Sequence, residues 1–108
     1  MEKIAIFSDV HGNITALSAV LDDINKRKVD KIMCLGDCVT KCVHSDQVID
    51  KVKEFCDVVI MGNCDYSISR PIAKTRNYWT TKLIGDERAE YLASLPISYD
   101  FYLSRSFD

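Results

Sequence analysis

The stretch Ile4-Ala5-Ile6-Phe7-Ser8-Asp9-Val10-His11-Gly12-Asn13 decides the fold. An apolar run, Lys3–Phe7, stops abruptly at Ser8-Asp9, as a buried strand does at its C-terminus. Asn13 is a helix-capping residue, and Ile14, Leu17, Val20, Leu21 and Ile24 follow it at helical spacing on one face. Strand, polar turn and amphipathic helix make the opening of a βαβ unit. The polar turn holds a carboxylate and an imidazole two residues apart. In an extended segment such residues point the same way, so Asp9 and His11 can reach one ion.

The pattern then repeats. Lys31–Leu35 is a second apolar run, stopped by Gly36-Asp37. Ser45 or Asp46 is expected to cap a second helix with Val48, Ile49, Val52 and Phe55 inward. Val58–Met61 is a third strand, stopped by Gly62-Asn63-Cys64-Asp65. Strands alternating with amphipathic helices predict an α/β fold, a parallel βαβαβ sheet with flanking helices. Ligands of such sheets bind beyond the strand C-termini, where Asp9, Asp37 and Asn63 all fall. Gly-Asp and Gly-Asn are each common turn dipeptides. Their joint placement after three successive strands is the specific signal. Carboxylates, an imidazole and an amide suit hard-to-borderline divalent cations. A carboxylate on the middle strand can bridge two ions, the role expected of Asp37.

Arg76–Ile84 reads as a helix with Trp79 and Leu83 on one side. Gly85 can end it, and Asp86 can cap another running to about Leu95, with Tyr91, Leu92 and Leu95 inward. Pro96 stops that helix. Ile97, Tyr99, Phe101 and Leu103 alternate with polar neighbours, so Tyr99–Leu103 is expected to be a strand. Ser104-Arg105-Ser106 then looks like the start of a hairpin turn, with Phe107-Asp108 after it.

The rest of the composition mainly excludes. The 108 residues hold one small domain at most. A hydrophobic share of 47% with 28% charged residues is globular, not disordered. A net charge of −2 supplies no basic footprint, so specific nucleic-acid binding is not expected. No apolar run approaches the ~20 residues of a spanning helix, and Ile4–Phe7 is too short for a signal sequence. Five cysteines without a CxxC pair suggest reduced thiols and a cytoplasmic protein. Cys34 and Cys56 read as small core residues. Cys38 and Cys42 flank the loop after Asp37 and would pinch a metal only if that loop were helical, which Val39-Thr40 opposes. Lys41 could meet a phosphate, and His44 reads as a solvated loop residue.

The order D-x-H, G-D, G-N-x-D resembles the calcineurin-like metallophosphoesterase superfamily, and in detail its small prokaryotic phosphoesterases, a group that Tyr78-Trp79-Thr80 and Ala93-Ser94-Leu95-Pro96 also fit. The resemblance covers the N-terminal half of that domain. It implies a metal-dependent hydrolase of phosphomonoesters or phosphodiesters, working with two divalent ions (Mn, Fe, Zn or similar) on a phosphate-ester small molecule. Asp9 and His11 would ligate the first metal, Asp37 would bridge, and Asn63 would ligate the second. Position 64 in the family is usually a His, oriented by the acid at position 65. Here it is Cys64, a weak hydrogen-bond donor, which leaves Asp65 to brace the turn. Cys64 and Asp65 are therefore the catalytic candidates of this group, on weaker grounds than the four ligands. Family members continue with a second sheet and a G-H-x-H type segment. By that measure residues 1–108 are a partial domain, the first half of a four-layer sandwich whose C-terminal half is absent. An unpaired strand Tyr99–Leu103 would leave an open sheet edge through which the chain could associate. The other reading is a catalytically inactive fragment or interaction module that retains part of a metal site. A phosphoacceptor-Asp domain fits less well, because His11 stands where a second acid is needed.

Overall fold

The computed structural model describes residues 3–40, 43–70 and 77–101. Three parallel strands, β1 (Ile4–Phe7), β2 (Lys31–Cys34) and β3 (Val58–Val59), form one sheet in the order β1-β2-β3. Phe7 lies opposite Cys34, and Cys34 opposite Val59. Helix α1 (Ile14–Arg27) links β1 to β2, and α2 (Ser45–Phe55) precedes β3. Helix α3 (Asn63–Ser69) follows directly, and α4 (Tyr78–Ala93) packs against α2 and α3.

Each element starts where its sequence allows. Asn13 caps α1 by accepting from the Ala16 N–H at 3.0 Å, and Lys28 ends it in the left-handed region at φ 52°. Leu17 and Ile24 are the buried part of its apolar face, while Val20 remains 39% exposed. In α2 the inward set is Ser45, Val48, Ile49 and Val52. Neither expected cap forms: His44 occupies the N-cap without a side-chain bond. Ser45 is already inside the helix, and its Oγ accepts from the Thr40 N–H at 3.2 Å, tying the preceding loop down. Phe55 does not turn inward either. At the last turn it is 44% exposed, and the Lys51 ammonium covers its ring at 5.2 Å.

Phe7, Cys34 and Val59 point from one sheet face into a core with Leu17 of α1, Val48, Ile49 and Val52 of α2, Ile68 of α3, and Ile84 and Leu92 of α4. Burying each large aliphatic side chain is worth roughly 1.5–3 kcal/mol. Successive right-handed crossovers in the same direction put α1 and α2 on this one face. The other face carries Ile6, 52% exposed, beside its register partner Met33, which is buried. Arg88 fastens α4 to α2 with two parallel bonds to the Asp50 carboxylate at 2.9 and 2.8 Å.

Helix α3 was not expected, because Gly62-Asn63-Cys64-Asp65 reads only as a strand stop. From Tyr78 on the helices follow expectation, and the segment after them departs from it. Gly85 breaks α4 at φ 79°, ψ 172°, so two helical segments meet there. The second segment ends at Ala93, two residues short of Leu95, because the Ser94 and Leu95 N–H groups close on Glu90, Tyr91 and Leu92 carbonyls. No strand forms over the described part of Tyr99–Leu103. Among the described residues no backbone ladder reaches 97–101. Instead the Tyr99 and Phe101 rings stack with centroids 6.3 Å apart on an exposed segment. Strand β3 is also shorter than its apolar run: the Met61 N–H turns away to the Pro96 carbonyl at 2.7 Å. Lys41, Cys42, Arg76 and the segment from 102 onward lie outside the described residues.

Candidate metal centre

Beyond the sheet, the β1 and β2 loops continue side by side. The Asp9, His11 and Gly12 N–H groups donate to the Gly36, Asp37 and Cys38 carbonyls at 3.0, 2.9 and 2.8 Å. The expected extended geometry of Asp9 and His11 is not what brings them together. Both sit in the left-handed region, at φ 61° and 49°, as does Asp37 at 58°. Non-glycine residues adopt this region sparingly and at some cost. Three of them on adjoining loops curl the chain so that the side chains converge. One ligand atom from each of Asp9, His11 and Asp37 lies within 4.8 Å of the others.

Two glycines allow the third loop to close in. Gly36 has φ 100°, and a Cβ there would run into the Gly62 backbone nitrogen and stand 2.8 Å from the Gly62 Cα and the Ile60 oxygen. A Cβ on Gly62 would strike the backbone nitrogen and carboxylate of Asp37. Asn63 thereby reaches Asp37. With its amide nitrogen turned inward, it donates to both carboxylate oxygens at 3.1 and 3.0 Å. Ligation of a cation would use the amide oxygen instead, so the amide would turn over.

Asp65 organises this corner. It is fully buried, and one oxygen accepts from the Asp37 and Gly62 N–H groups at 2.7 and 3.0 Å while the other accepts from Cys38 at 2.9 Å. One carboxylate thus clamps the Gly-Asp loop to the Gly-Asn loop. Burial pushes Asp65 above the usual carboxylate value, against the pull of the three donors. The sequence reading of Asp65 as a turn brace understated it, since its main partners lie 27 and 28 residues away. Cys64 donates its N–H to Asp37 Oδ1 at 2.9 Å, while its side chain, half-buried, packs against the core. Its thiol is not among the ligand atoms that converge with Asp9, His11 and Asp37.

The electrostatics favour a cation. The Ser8 hydroxyl at 2.6 Å, with smaller contributions from Asp37 and His11, holds the exposed Asp9 carboxyl below its usual value. His11 Nδ1 lies 3.1 Å from the Val39 carbonyl, an acceptor only, so this nitrogen carries the proton. That leaves Nε2, 3.3 Å from Asp9 Oδ1, as a lone pair facing a carboxylate unless a proton or a metal ion sits there. An imidazole oriented through its far nitrogen by a carbonyl is the usual arrangement of a metal-ligating histidine. Val39 was not a candidate in the sequence, because a carbonyl leaves no mark on composition. His44 lies outside the group. Its Nδ1 is 3.3 Å from Gln47 Nε2, on the surface. The soft donor Cys38 is buried and faces Cys34, with the two Sγ atoms 3.8 Å apart.

Known proteins resemble this chain in sequence and fold. The chain is 34% identical over 102 residues to an uncharacterized protein of Methanocaldococcus jannaschii, covering 87% of this chain and 42% of that one. A metallophosphoesterase from Sphaerobacter thermophilus superposes with a TM-score of 0.76 at 35% identity, over 88% of this chain and 42% of the other. A protein provisionally described as a diadenosine tetraphosphatase shares the fold, with a TM-score of 0.69 at 21% identity over 89% of this chain and 48% of its own. The chain therefore spans under half the length of these relatives. The family model for calcineurin-like phosphoesterases matches residues 2–105, and with the D-x-H, G-D and G-N-x-D turns gathered at one sheet edge, the chain belongs to the calcineurin-like phosphoesterase family.

Proposed function

We propose that this chain carries part of a two-metal centre that hydrolyses phosphomonoesters or phosphodiesters. The observation that supports it most is the convergence of Asp9, His11 and Asp37 ligand atoms within 4.8 Å on strained backbone. Asp9 and His11 would hold one divalent ion, Asp37 would serve both, and Asn63 would hold the second through its amide oxygen. Manganese, iron and zinc all suit such an oxygen and nitrogen set. Bound there, paired ions supply an activated water and charge to stabilise the leaving oxygen. The protein's own part is positional. The Val39 carbonyl fixes the His11 ring, Ser8 keeps Asp9 ionised, and Asp65 holds the Asp37 turn. Cys64 fills the position after Asn63 as a small residue and contributes its backbone N–H.

Residues 1–108 are read as the first part of a longer domain. Four side-chain donors leave two ions short of the roughly six ligands each prefers. Little or no turnover is therefore expected from this chain by itself. Substrates are small phosphate esters. Among the described residues no helix is long and apolar enough to cross a membrane. Cys34, Cys38, Cys56 and Cys64 are all free thiols, which supports a reducing, cytoplasmic setting. The outer edges of β1 and β3 are the places where another strand can add.

The test has two parts. Calorimetric titration with manganese should show binding that Asp9→Asn abolishes. Hydrolysis of nitrophenyl phosphate mono- and diesters should be weak for the chain and rise when the remaining half of a relative is supplied in trans or fused. Manganese binding that survives Asp9→Asn and Asp37→Asn would remove the metal reading and leave an interaction module.

A further inference from the structure

Cys34 ends strand β2 and Cys38 follows Asp37, so the two thiols straddle the Gly36-Asp37 turn. The left-handed pair Gly36 (φ 100°) and Asp37 (φ 58°) reverses the chain there and sets both side chains on the core side. Their sulfurs are 3.8 Å apart, and both residues are buried, 0% and 1% exposed. Apolar packing alone would account for one small thiol in a core. Two in contact across one turn is an arrangement from which a bond can form once the sulfurs close from 3.8 Å to about 2.05 Å.

We propose that Cys34 and Cys38 are a two-electron redox pair, closed to a disulfide by hydrogen peroxide, and that closing it weakens cation binding at Asp9, His11 and Asp37. One thiolate sulfur attacks peroxide, breaking the O–O bond to give a sulfenic acid and releasing the other oxygen as water after protonation. The second thiol then attacks the sulfenic sulfur, the S–S bond forms, and the sulfenic oxygen leaves as a second water. Two electrons pass from sulfur to peroxide, and thiol reductants reverse the step.

The coupling follows from what is pinned. Cys34 is held in the sheet between Phe7 and Val59. Cys38 is held only by loop bonds, its N–H to Asp65 and its carbonyl from Gly12. Drawing the sulfurs together therefore moves the Cys38 side, and Asp37 is its neighbour. A shift there loosens the Asp65 clamp and spreads the three ligand atoms. Disturbing groups that orient a metal ligand changes affinity by about 10–100-fold. The coupling rests on the metal reading above, whereas the disulfide does not.

The experiment treats the reduced chain with hydrogen peroxide, removes the oxidant, and alkylates the remaining thiols. The tryptic peptide of residues 32–41 contains Cys34 and Cys38 and no other cysteine. It should escape alkylation and be lighter by two hydrogen atoms, and dithiothreitol should restore it. Manganese affinity should fall about tenfold on oxidation and recover on reduction, with no such response in Cys38→Ser or Cys34→Ala. Full alkylation of both cysteines in that peptide, under conditions that oxidise Cys56 or Cys64, overturns the pair. A disulfide that forms without changing manganese affinity overturns the coupling alone. Failure of the reduced chain to bind manganese removes the metal reading and the coupling with it, while the peptide result still decides the pair.

Discussion

Replacing Asp65 with alanine should cost about 2–5 kcal/mol of stability. The Cys38 N–H is bonded only to this carboxylate in a buried setting, and orphaning it costs about 1–3 kcal/mol. The Asp37 and Gly62 donors are half-buried and regain part of their bonding from water, so each loses about 0.5–1.5 kcal/mol. Removing a carboxylate that burial already disfavours returns a little of this. The loss is a large share of the ~5–15 kcal/mol that a domain of this size has. Asp65→Asn separates charge from geometry. In its better orientation the amide oxygen keeps the two bonds to Asp37 and Gly62 and turns an NH2 group towards Cys38. It should fall between the parent and alanine. Urea unfolding followed by circular dichroism measures both variants, and manganese titration should show weaker binding in each because the Asp37 loop is released. Both variants unfolding within about 0.5 kcal/mol of the parent, the range of ordinary surface substitutions, would refute the clamp.

Gly36→Ala should destabilise by at least ~2 kcal/mol, because the new Cβ meets Gly62 backbone at a φ that L-residues avoid; urea midpoints check it. Asp37→Asn should weaken manganese binding more than Asn63→Ala does, since a bridging carboxylate lends charge to two ions, and equal effects in calorimetry would contradict bridging. Arg88→Ala should cost under ~1 kcal/mol at neutral pH, because the Asp50–Arg88 pair is largely solvent-exposed. The Arg88 guanidinium holds Asp50 below its ordinary 3.8, so that contribution is present above about pH 4 and lost as pH falls through the lowered value; parent and variant urea midpoints should converge in acid.

The three strands and the first two helices were legible because their apolar periods are clean and their ends carry turn residues. Leu17, Val48, Ile49 and Val52 fall where the periodicity puts them. The convergence of Asp9, His11 and Asp37 at one sheet edge was legible for the same reason: parallel strands bring their C-terminal loops together. What was not legible depends on contacts distant in sequence. The left-handed backbone at Asp9 and His11 is set by hydrogen bonds to 36–38. The failure of 97–101 to pair is a matter of available partners, since alternation shows only that a strand would have unequal faces. The Cys34–Cys38 contact leaves no periodic mark, because a left-handed turn and not a helix brings the two thiols together.

The positive φ angles at Asp9, His11 and Asp37 carry a consequence for how this sequence responds to selection. Each is a residue that the backbone would trade for glycine or asparagine, with about 1 kcal/mol of strain relieved per site. A library sorted only for resistance to heat or protease should therefore drift towards glycine or asparagine at positions 9, 11 and 37, and lose its cation affinity as its melting temperature climbs. The same library sorted for manganese retention should keep those three residues and find its gains elsewhere.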